Sequence, residues 1–277
     1  MVIAGAGGGI GRAVTRRFAR EGARLVLNDR GCDREGVGDT PGAADEAVAE
    51  ARGEGAEARA SYESIASPEG ARAVIDLAVE TFGGIDVVVD LAGVARERSF
   101  LKPDDGAFDT VFDAVGRGAW NLSRAAARRL VDQRRGGRIV LATAAPGALG
   151  AVGHAAYAMA NAAVQGLVRA LAVELRRHEI RVNALCPLAR TRLTEGLPLF
   201  ASIGDDRLGP DFVAPAALFL ASDLSGDLSG EVLAVAGNKL STWRHVESRG
   251  VLGDDPRAPW AAEALRARWD ELARHGG

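Results

Sequence analysis

Short apolar runs alternate with longer amphipathic stretches along most of this 277-residue chain. The runs are rich in branched aliphatic residues, which favours buried strands, and the stretches between them repeat with the period of a helix. Such an alternation predicts a parallel sheet covered by helices on both faces. We therefore expect one doubly wound, Rossmann-like α/β domain with seven parallel strands.

Two segments of the chain depart from this alternation. Residues 189–210 are predicted to form a flap over the site, within a domain that covers residues 1–238. Residues 239–277 are predicted to form a C-terminal tail with a helix from Pro259 onward, since proline is favoured in the first helical turn. The predicted strands cover residues 2–5, 23–28, 56–61, 85–90, 137–143, 180–185 and 231–237. The predicted helices lie near residues 10–21, 41–54, 68–82, 106–134, 155–178 and 211–222.

Composition excludes several classes of function. The net charge is −3, and no basic stripe with interleaved aromatic residues is present, so we expect no nucleic-acid partner. No run approaches the ~18–20 apolar residues of a membrane span, and the first apolar run is too short for a signal peptide. The two cysteines, Cys32 and Cys186, match no metal spacing. A reduced cytoplasmic protein without a metal site is the prediction.

A glycine-rich loop, AGAGGGIG at residues 4–11, follows the first predicted strand and begins a helix. Glycines at this point let the backbone turn tightly and approach a pyrophosphate, which the helix N-terminus then stabilises. Asp29 ends the second strand, where a carboxylate favours the ribose of NAD and repels the 2′-phosphate of NADP. The neighbouring Arg30 weakens that preference. The alternative is that the glycines serve only close packing of helix and strand.

This glycine spacing, the sequence YAMAN at residues 157–161 and the strand pattern together resemble the short-chain dehydrogenase/reductase family over nearly the whole chain. Within that family, four segments are similar to the hydroxyacyl-CoA dehydrogenase module of peroxisomal multifunctional enzyme type 2 and its bacterial relatives. They are NDRGCDREGVGDT, GVARERSF, RTRLTE and APWAAEALRARW. Members of the family usually have several more residues before the first strand, so the natural N-terminus is expected to be longer.

The resemblance implies a cofactor site and an oligomer. The helices near 106–134 and 155–178 would pack against a second subunit, which predicts a homodimer or homotetramer, or a hetero-oligomer with a paralogue. Glu63 would meet the adenine ring. The residues implied as contacts of NAD are Gly5, Gly9, Ile10, Gly11, Asp29, Glu63, Ser64, Ala92, Gly93, Asn161 and Thr191.

The chain departs from the family at three of its four catalytic positions. The resemblance implies a serine, an asparagine and a lysine where this sequence has Ala144, Val115 and Asn161; only Tyr157 remains. A tyrosine has an ordinary pKa of about 10, and an adjacent cation lowers it by ~1–3 units. Losing a donor to the substrate oxygen adds about 3–4 kcal/mol to the barrier. Ordinary hydride transfer should therefore be slower by several orders of magnitude, and NAD binding weak or absent.

Two side chains could replace some of the lost chemistry. Thr143 could turn its hydroxyl toward the place of Ala144, although neighbouring residues of a strand point to opposite faces. His154 lies three residues before Tyr157, and a histidine side chain ordinarily has a near-neutral pKa, so it could exchange a proton with the substrate. The alternatives are a loop histidine without a role and a tyrosine that merely fills the cleft.

Three functions remain open from the sequence. The first is an atypical, non-redox enzyme in which Tyr157 and His154 carry out acid–base work such as dehydration, isomerisation or cyclisation of a small biosynthetic intermediate. The second is an NAD-dependent oxidoreductase of a hydroxyacyl or ketone substrate with an unusual proton path. The third is a non-catalytic subunit that partners an active paralogue.

Overall fold

The computed structural model describes residues 1–102, 106–196, 200, 204–253 and 255–273. The chain divides into two compact units, Met1–Thr242 and Trp243–Gly277. The first unit contains the sheet and every site discussed below. No helix in the described part of the chain has the length and apolar character needed to span a membrane.

One sheet of eight strands forms the centre of the first unit, with the order β3-β2-β1-β4-β5-β6-β7-β8. All pairs from β3 to β7 are parallel, which confirms the predicted doubly wound Rossmann-like sheet. The strands are β1 (Val2–Ala4), β2 (Leu25–Asn28), β3 (Ala58–Ser61), β4 (Val87–Asp90), β5 (Gly137–Ala142), β6 (Ile180–Leu188), β7 (Val232–Ala236) and β8 (Lys239–Trp243).

The eighth strand is the one that the sequence did not predict. It follows β7 after only two residues, so it must run antiparallel, because a parallel connection needs a dozen or more residues. Its residues are exposed or half-buried, and it lies at the edge of the sheet. It therefore lacks the continuous apolar run that identified the other seven strands.

The six helices predicted before the tail are present with shifted ends and one altered interior, whereas the short helices α6 and α8 were not predicted. They are α1 (Gly9–Arg20), α2 (Gly42–Gly53), α3 (Pro68–Phe82), α4 (Ala107–Phe112), α5 (Gly118–Gln133), α6 (Pro146–Leu149), α7 (Ala155–Glu174), α8 (Asp205–Leu208), α9 (Ala214–Ala221), α10 (Ala262–Ala267) and α11 (Trp269–Leu272). A π-helical turn, Asp113–Arg117, joins α4 to α5 inside the predicted helix 106–134. The C-terminal helix begins at Ala262, three residues after Pro259, and is interrupted at Arg268.

The predicted flap at residues 189–210 is described only in part. It contains the short helix α8, but residues 197–199 and 201–203 lie outside the described residues. Thr191 and Thr194 begin this segment with a local turn, in which the Thr191 amide donates to the Thr194 hydroxyl at 2.9 Å. Its role as a flap stays a prediction.

The strand order places a crevice at the carboxyl ends of β1 and β4. From β1 the chain proceeds outward to β2 and β3, and then returns to β4 on the other side of β1. Helices leave from these two strands to opposite faces, which opens a crevice where ligands bind in folds of this kind. Ala4 and Asp90, the last residues of β1 and β4, are directly paired in the sheet.

Candidate active site

A cleft of about 580 Å³ opens at the carboxyl ends of the strands. The loops after β1, β2, β3 and β4 line it, together with the turn after β6. All predicted cofactor contacts except Asn161 lie in its wall: Gly5, Gly9, Ile10, Gly11, Asp29, Glu63, Ser64, Ala92, Gly93 and Thr191. The catalytic candidates Tyr157, His154 and Thr143 are not among the residues that line it.

The glycine loop combines both roles that the sequence left open. Gly5 has a φ of +71°, and a Cβ there would lie 2.6 Å from the amide nitrogen of Ala92. A Cβ at Gly11 would lie 2.0 Å from the carbonyl oxygen of Gly5. These two glycines are therefore required by close packing. Gly9 begins α1 and lines the cleft, so the free amides of the first turn are available to a phosphate there.

Asp29 holds this loop in place from the end of β2. Its Oδ2 accepts a hydrogen bond from the Gly7 amide at 2.9 Å, and its Oδ1 accepts one from the Gly31 amide at 2.7 Å. A carboxylate has about four acceptor positions, so two remain for the hydroxyls of a ribose. The buried Asp29 can thus order the loop and receive a nucleotide at the same time.

Two buried amides that the sequence analysis missed position the wall that carries Glu63 and Ser64. Asn28 donates from its Nδ2 to the Glu63 carbonyl at 2.9 Å, and Asn121 on α5 donates to the Ala66 carbonyl at 2.9 Å. An amide side chain in a fully buried strand requires partners. The sequence did contain one indication of this role, because Asn28 ends an otherwise apolar run.

Asp90 ends β4 beside the glycine loop. It is almost fully buried and accepts a hydrogen bond from the Ala92 amide at 3.0 Å. Burial raises the pKa of this carboxyl to about 7, and the bond from Ala92 offsets this only in part. The tie between the β4 turn and the first strand is made by the main chain, where the Leu91 amide donates to the Ala4 carbonyl at 2.9 Å.

Tyr157 lies in the first turn of α7 and is half-buried. Loss of solvation raises the pKa of its hydroxyl above the usual value. A hydrogen bond with the Asn161 side chain offsets only part of this rise. The Asn161 Nδ2 donates to the main-chain carbonyl of Tyr157 at 2.8 Å. Asn161 is therefore buried within its own helix and does not line the cleft.

Thr143 faces away from the cleft. Its buried hydroxyl donates to the Asn161 carbonyl at 3.0 Å and accepts from Gln165 Nε2 at 3.1 Å. The side chain thus joins the end of β5 to the interior of α7. Because both hydrogen bonds of the Thr143 hydroxyl are made inside the protein, a catalytic role for Thr143 is not favoured. The side chain of the neighbouring Ala144 carries no hydrogen-bond donor.

His154 precedes α7 and lies against Tyr157. The two ring centres are 6.1 Å apart, and the rings are inclined at 69°. His154 Nδ1 lies 2.8 Å from the Val152 carbonyl. Because a carbonyl only accepts, Nδ1 must carry the hydrogen, which leaves Nε2 as the atom that can gain or lose a proton.

Glu97 completes this arrangement and was not predicted from the sequence. Its Oε1 lies 3.5 Å from His154 Nε2, and the same carboxylate is paired with Arg34. The residues come from three loops, those after β2 and β4 and the one that leads into α7. No periodicity or spacing in the sequence could have indicated this meeting.

The comparisons with known proteins establish the family. A family model described as "Enoyl-(Acyl carrier protein) reductase" matches residues 5–237. The chain is 35% identical to a short-chain type dehydrogenase/reductase of Mycobacterium tuberculosis over 277 residues, which is 94% of that protein. It is also 35% identical to mouse "Peroxisomal multifunctional enzyme type 2" over 272 residues, but it spans only 36% of that enzyme.

A solved structure supports the same assignment. The crystal structure of a short chain dehydrogenase from Mycobacterium avium matches with a TM-score of 0.84 and 33% sequence identity. The match covers 98% of this chain and 93% of that one. The chain belongs to the short-chain dehydrogenase/reductase family, whose members generally bind NAD(H).

The pH dependence of stability should reveal the ionisation of Asp90. The folded-state pKa is about 7, whereas the ordinary value is 3.8. Between these values the folded chain holds a proton that the unfolded chain releases, so the free energy of unfolding falls as pH rises from about 4 to about 7. Asp90→Asn should remove this loss and stabilise the protein above pH 7 by about 2–4 kcal/mol.

Urea unfolding at several pH values measures this effect. The difference between Asp90→Asn and the parent should be small near pH 4 and largest above pH 7. Asp132→Asn, at an exposed position on α5, serves as the control and should show no such trend. A constant difference across the range would contradict the buried, titrating carboxyl.

The titration of Tyr157 can be observed directly, because the chain has only two tyrosines. Removing the other one with Tyr62→Phe leaves the tyrosinate absorbance to Tyr157 alone. Its midpoint should lie above that of a free tyrosine, and Asn161→Lys should lower it by about 1–3 pH units. The matched control is Ala162→Lys, which adds the same charge at an exposed position of α7. A midpoint below the ordinary value in the Tyr62→Phe protein would mean that another cation activates Tyr157.

Proposed function

We propose that this protein is an atypical acid–base enzyme that binds a small carbonyl substrate beside Tyr157 and His154, with ordinary hydride transfer strongly reduced. The observation that carries the proposal is the contact between the two rings, with Glu97 at the free nitrogen of His154. Tyr157 has no lysine beside it, and its raised pKa makes it a donor rather than a base.

In this proposal Tyr157 remains neutral and donates a hydrogen bond to the oxygen of the substrate. His154 Nε2 removes a proton from the carbon next to the carbonyl, and the negative charge moves to the oxygen that Tyr157 contacts. The Glu97 carboxylate stabilises the imidazolium formed on His154. For a β-hydroxy substrate, the enolate then expels the hydroxyl group, which leaves as water with the proton held by His154. Return of the proton to a different carbon of a conjugated enolate would instead give an isomerisation.

The same residues explain why hydride transfer should be slow. The Asn161 amide is turned toward the helix backbone, and the Thr143 hydroxyl is engaged by Asn161 and Gln165. Ala144 and Val115 carry no polar group. Each of these positions would have to stabilise an ionised Tyr157 or the substrate oxygen in an ordinary alcohol dehydrogenation.

The second candidate is an NAD-dependent oxidoreductase, and the intact nucleotide cleft favours it. The cradle formed by Gly5, Gly9 and Gly11 has the shape for a pyrophosphate, and Asp29 has acceptor capacity left for a ribose. NAD would supply a hydride acceptor there when bound. We propose that it binds weakly, because Asn161 leaves the nicotinamide end without the lysine contact.

Cys32 provides a test of nucleotide binding. It lines the cleft, whereas Cys186 is buried and burial raises its pKa to about 12. A thiol reagent at mildly alkaline pH should therefore modify Cys32 first. NAD should slow this modification in a saturable way and NADP should slow it less, because Asp29 repels a 2′-phosphate.

Cys32→Ser is the control for this experiment, since it should remove the rapid phase of labelling. Submicromolar protection by NADP would contradict the proposed preference. Equal labelling rates with and without saturating NAD would remove the oxidoreductase candidate.

The acid–base proposal can be tested without a nicotinamide. With 3-hydroxybutyryl-CoA in D₂O as the probe, the protein should exchange the hydrogen next to the carbonyl. Tyr157→Phe and His154→Gln should each lower this rate by about 100-fold, as expected when a donor or a base is removed. Tyr62→Phe and His245→Gln, at exposed positions, should leave it unchanged.

A second experiment tests hydride transfer, with acetoacetyl-CoA and NADH as the substrates. The triple change Ala144→Ser, Val115→Asn and Asn161→Lys should raise the reduction rate above that of the parent. Reduction by the parent at ~1–10³ per second would make it an ordinary dehydrogenase and overturn the first proposal.

A third candidate is a non-catalytic subunit. We propose in any case that the chain forms a homodimer or homotetramer, or pairs with a paralogue, through α5 and α7. The exposed apolar side chains of Trp120, Met159 and Val173 on these helices support this proposal. If the Tyr157 and His154 variants fold and exchange at the parent rate, this candidate takes first place.

A further inference from the structure

A second cavity, of about 350 Å³, lies at the amino ends of the strands, whereas the nucleotide cleft lies at their carboxyl ends. The starts of β4, β5 and β6 line it, together with the loop between α9 and β7. Val87 at the start of β4 belongs to this cavity, whereas Leu91 and Ala92 just after the end of the same strand belong to the nucleotide cleft. The two sites are therefore separated by the length of a strand.

Two arginines stand side by side in the wall of this cavity. Arg138 on β5 and Arg181 on β6 are direct partners in the parallel sheet, so their side chains leave the same face about 4.8 Å apart. Adjacent like charges in a sheet are destabilising. Their side chains are only 14% and 17% exposed. Arg135 lines the same cavity beside them.

The guanidinium of Arg181 is not fully satisfied within the described part of the chain. Its Nη1 is buried there without a hydrogen-bond partner, while its Nη2 donates to Asp227 at 2.5 Å. A buried donor without a partner costs about 1–3 kcal/mol. An acceptor that reached this nitrogen after a shift of the surrounding side chains would remove this cost.

The carboxylates that now neutralise these arginines are displaceable. Asp223 lies 3.1 Å from Arg138, and Asp227 pairs with Arg181, but both aspartate side chains are fully exposed. Arg135 pairs with the exposed Asp86 at 3.0 Å, and Glu179 also lines the cavity. Because solvent screens the exposed carboxylate of each pair, these carboxylates are held weakly and a stronger anion can replace them.

We propose that this cavity, hereafter the arginine cavity, binds a phosphate group between Arg138 and Arg181. Planar guanidinium groups match the oxygens of a phosphate and hold it through paired hydrogen bonds. The volume leaves room for a small organic group on the phosphate, since ligand pockets begin at about 300 Å³. The ligand is thus either inorganic phosphate or a small phosphate monoester. This inference does not depend on the proposed reaction.

Titration calorimetry of the full chain tests the arginine cavity. Inorganic phosphate and glycerol 3-phosphate are the probes, and sodium chloride at equal ionic strength is the reference. Saturable binding is expected for at least one probe. The double variant Arg138→Gln and Arg181→Gln should weaken it by at least about 10-fold, as expected for the loss of charge-assisted hydrogen bonds. Arg169→Gln, an exposed arginine on α7, should match the parent.

Two further variants test the proposal in the opposite direction, so that a loss of binding caused by misfolding of the arginine variant cannot be mistaken for support. Asp223→Asn and Asp227→Asn remove exposed competing carboxylates and should tighten binding up to about fivefold. Tighter binding of glycerol 3-phosphate than of inorganic phosphate would identify an ester as the ligand, and equal or weaker binding would identify free phosphate. No binding by the parent and by both aspartate variants would overturn the proposal. So would phosphate binding that persists unchanged in the folded double arginine variant, since the phosphate would then lie outside the arginine cavity.

Discussion

The contact between the turns that follow β1 and β4 is the constraint on which the rest of the site depends. Gly5 approaches the Leu91–Ala92 backbone so closely that a Cβ would overlap it, and the Leu91 amide donates to the Ala4 carbonyl. This contact fixes the start of α1 relative to β4, and so sets the width of the cleft at the point where the strand order reverses. The buried Asp90 beside it adds a carboxyl group whose charged form is disfavoured by its loss of solvation.

Thr143, Asn161 and Tyr157 are physically connected to one another. Thr143 at the end of β5 and Asn161 in α7 are joined by a buried hydrogen bond, and the Asn161 amide folds back on the Tyr157 carbonyl. In this arrangement the polar groups of Thr143, Asn161 and Gln165 satisfy one another or the helix backbone inside the protein. An amide suits this role because it finds its acceptor one helical turn away, whereas a lysine at the same position would need a counter-charge or a ligand.

The sequence predicts the sheet well because its signals are local. Seven buried strands, the glycine loop and Asp29 each follow from a short stretch whose chemistry has one dominant explanation. The sequence does not predict strand β8, because β8 lies at an exposed edge of the sheet. It also does not predict the π-helical turn at Asp113–Arg117, because this turn has the residue pattern of an ordinary helix. The roles of Asn28 and Glu97 are not predicted for a different reason. Their partners are distant in sequence, so only the folded chain shows that they act on the cleft and on His154.

One pair of loops links the nucleotide cleft to the proposed acid–base residues. The loop after β2 supplies Cys32 and Gly36 to the cleft, and the loop after β4 supplies Gly93 and Val94. The same two loops are tied to each other by the Ala95 amide, which donates to the Arg34 carbonyl, and by the ion pair of Arg34 with Glu97. Glu97 in turn contacts His154. A continuous chain of contacts thus joins the wall of the cleft to the carboxylate at His154, and it is the physical route by which a ligand in the cleft would influence the proposed chemistry at Tyr157.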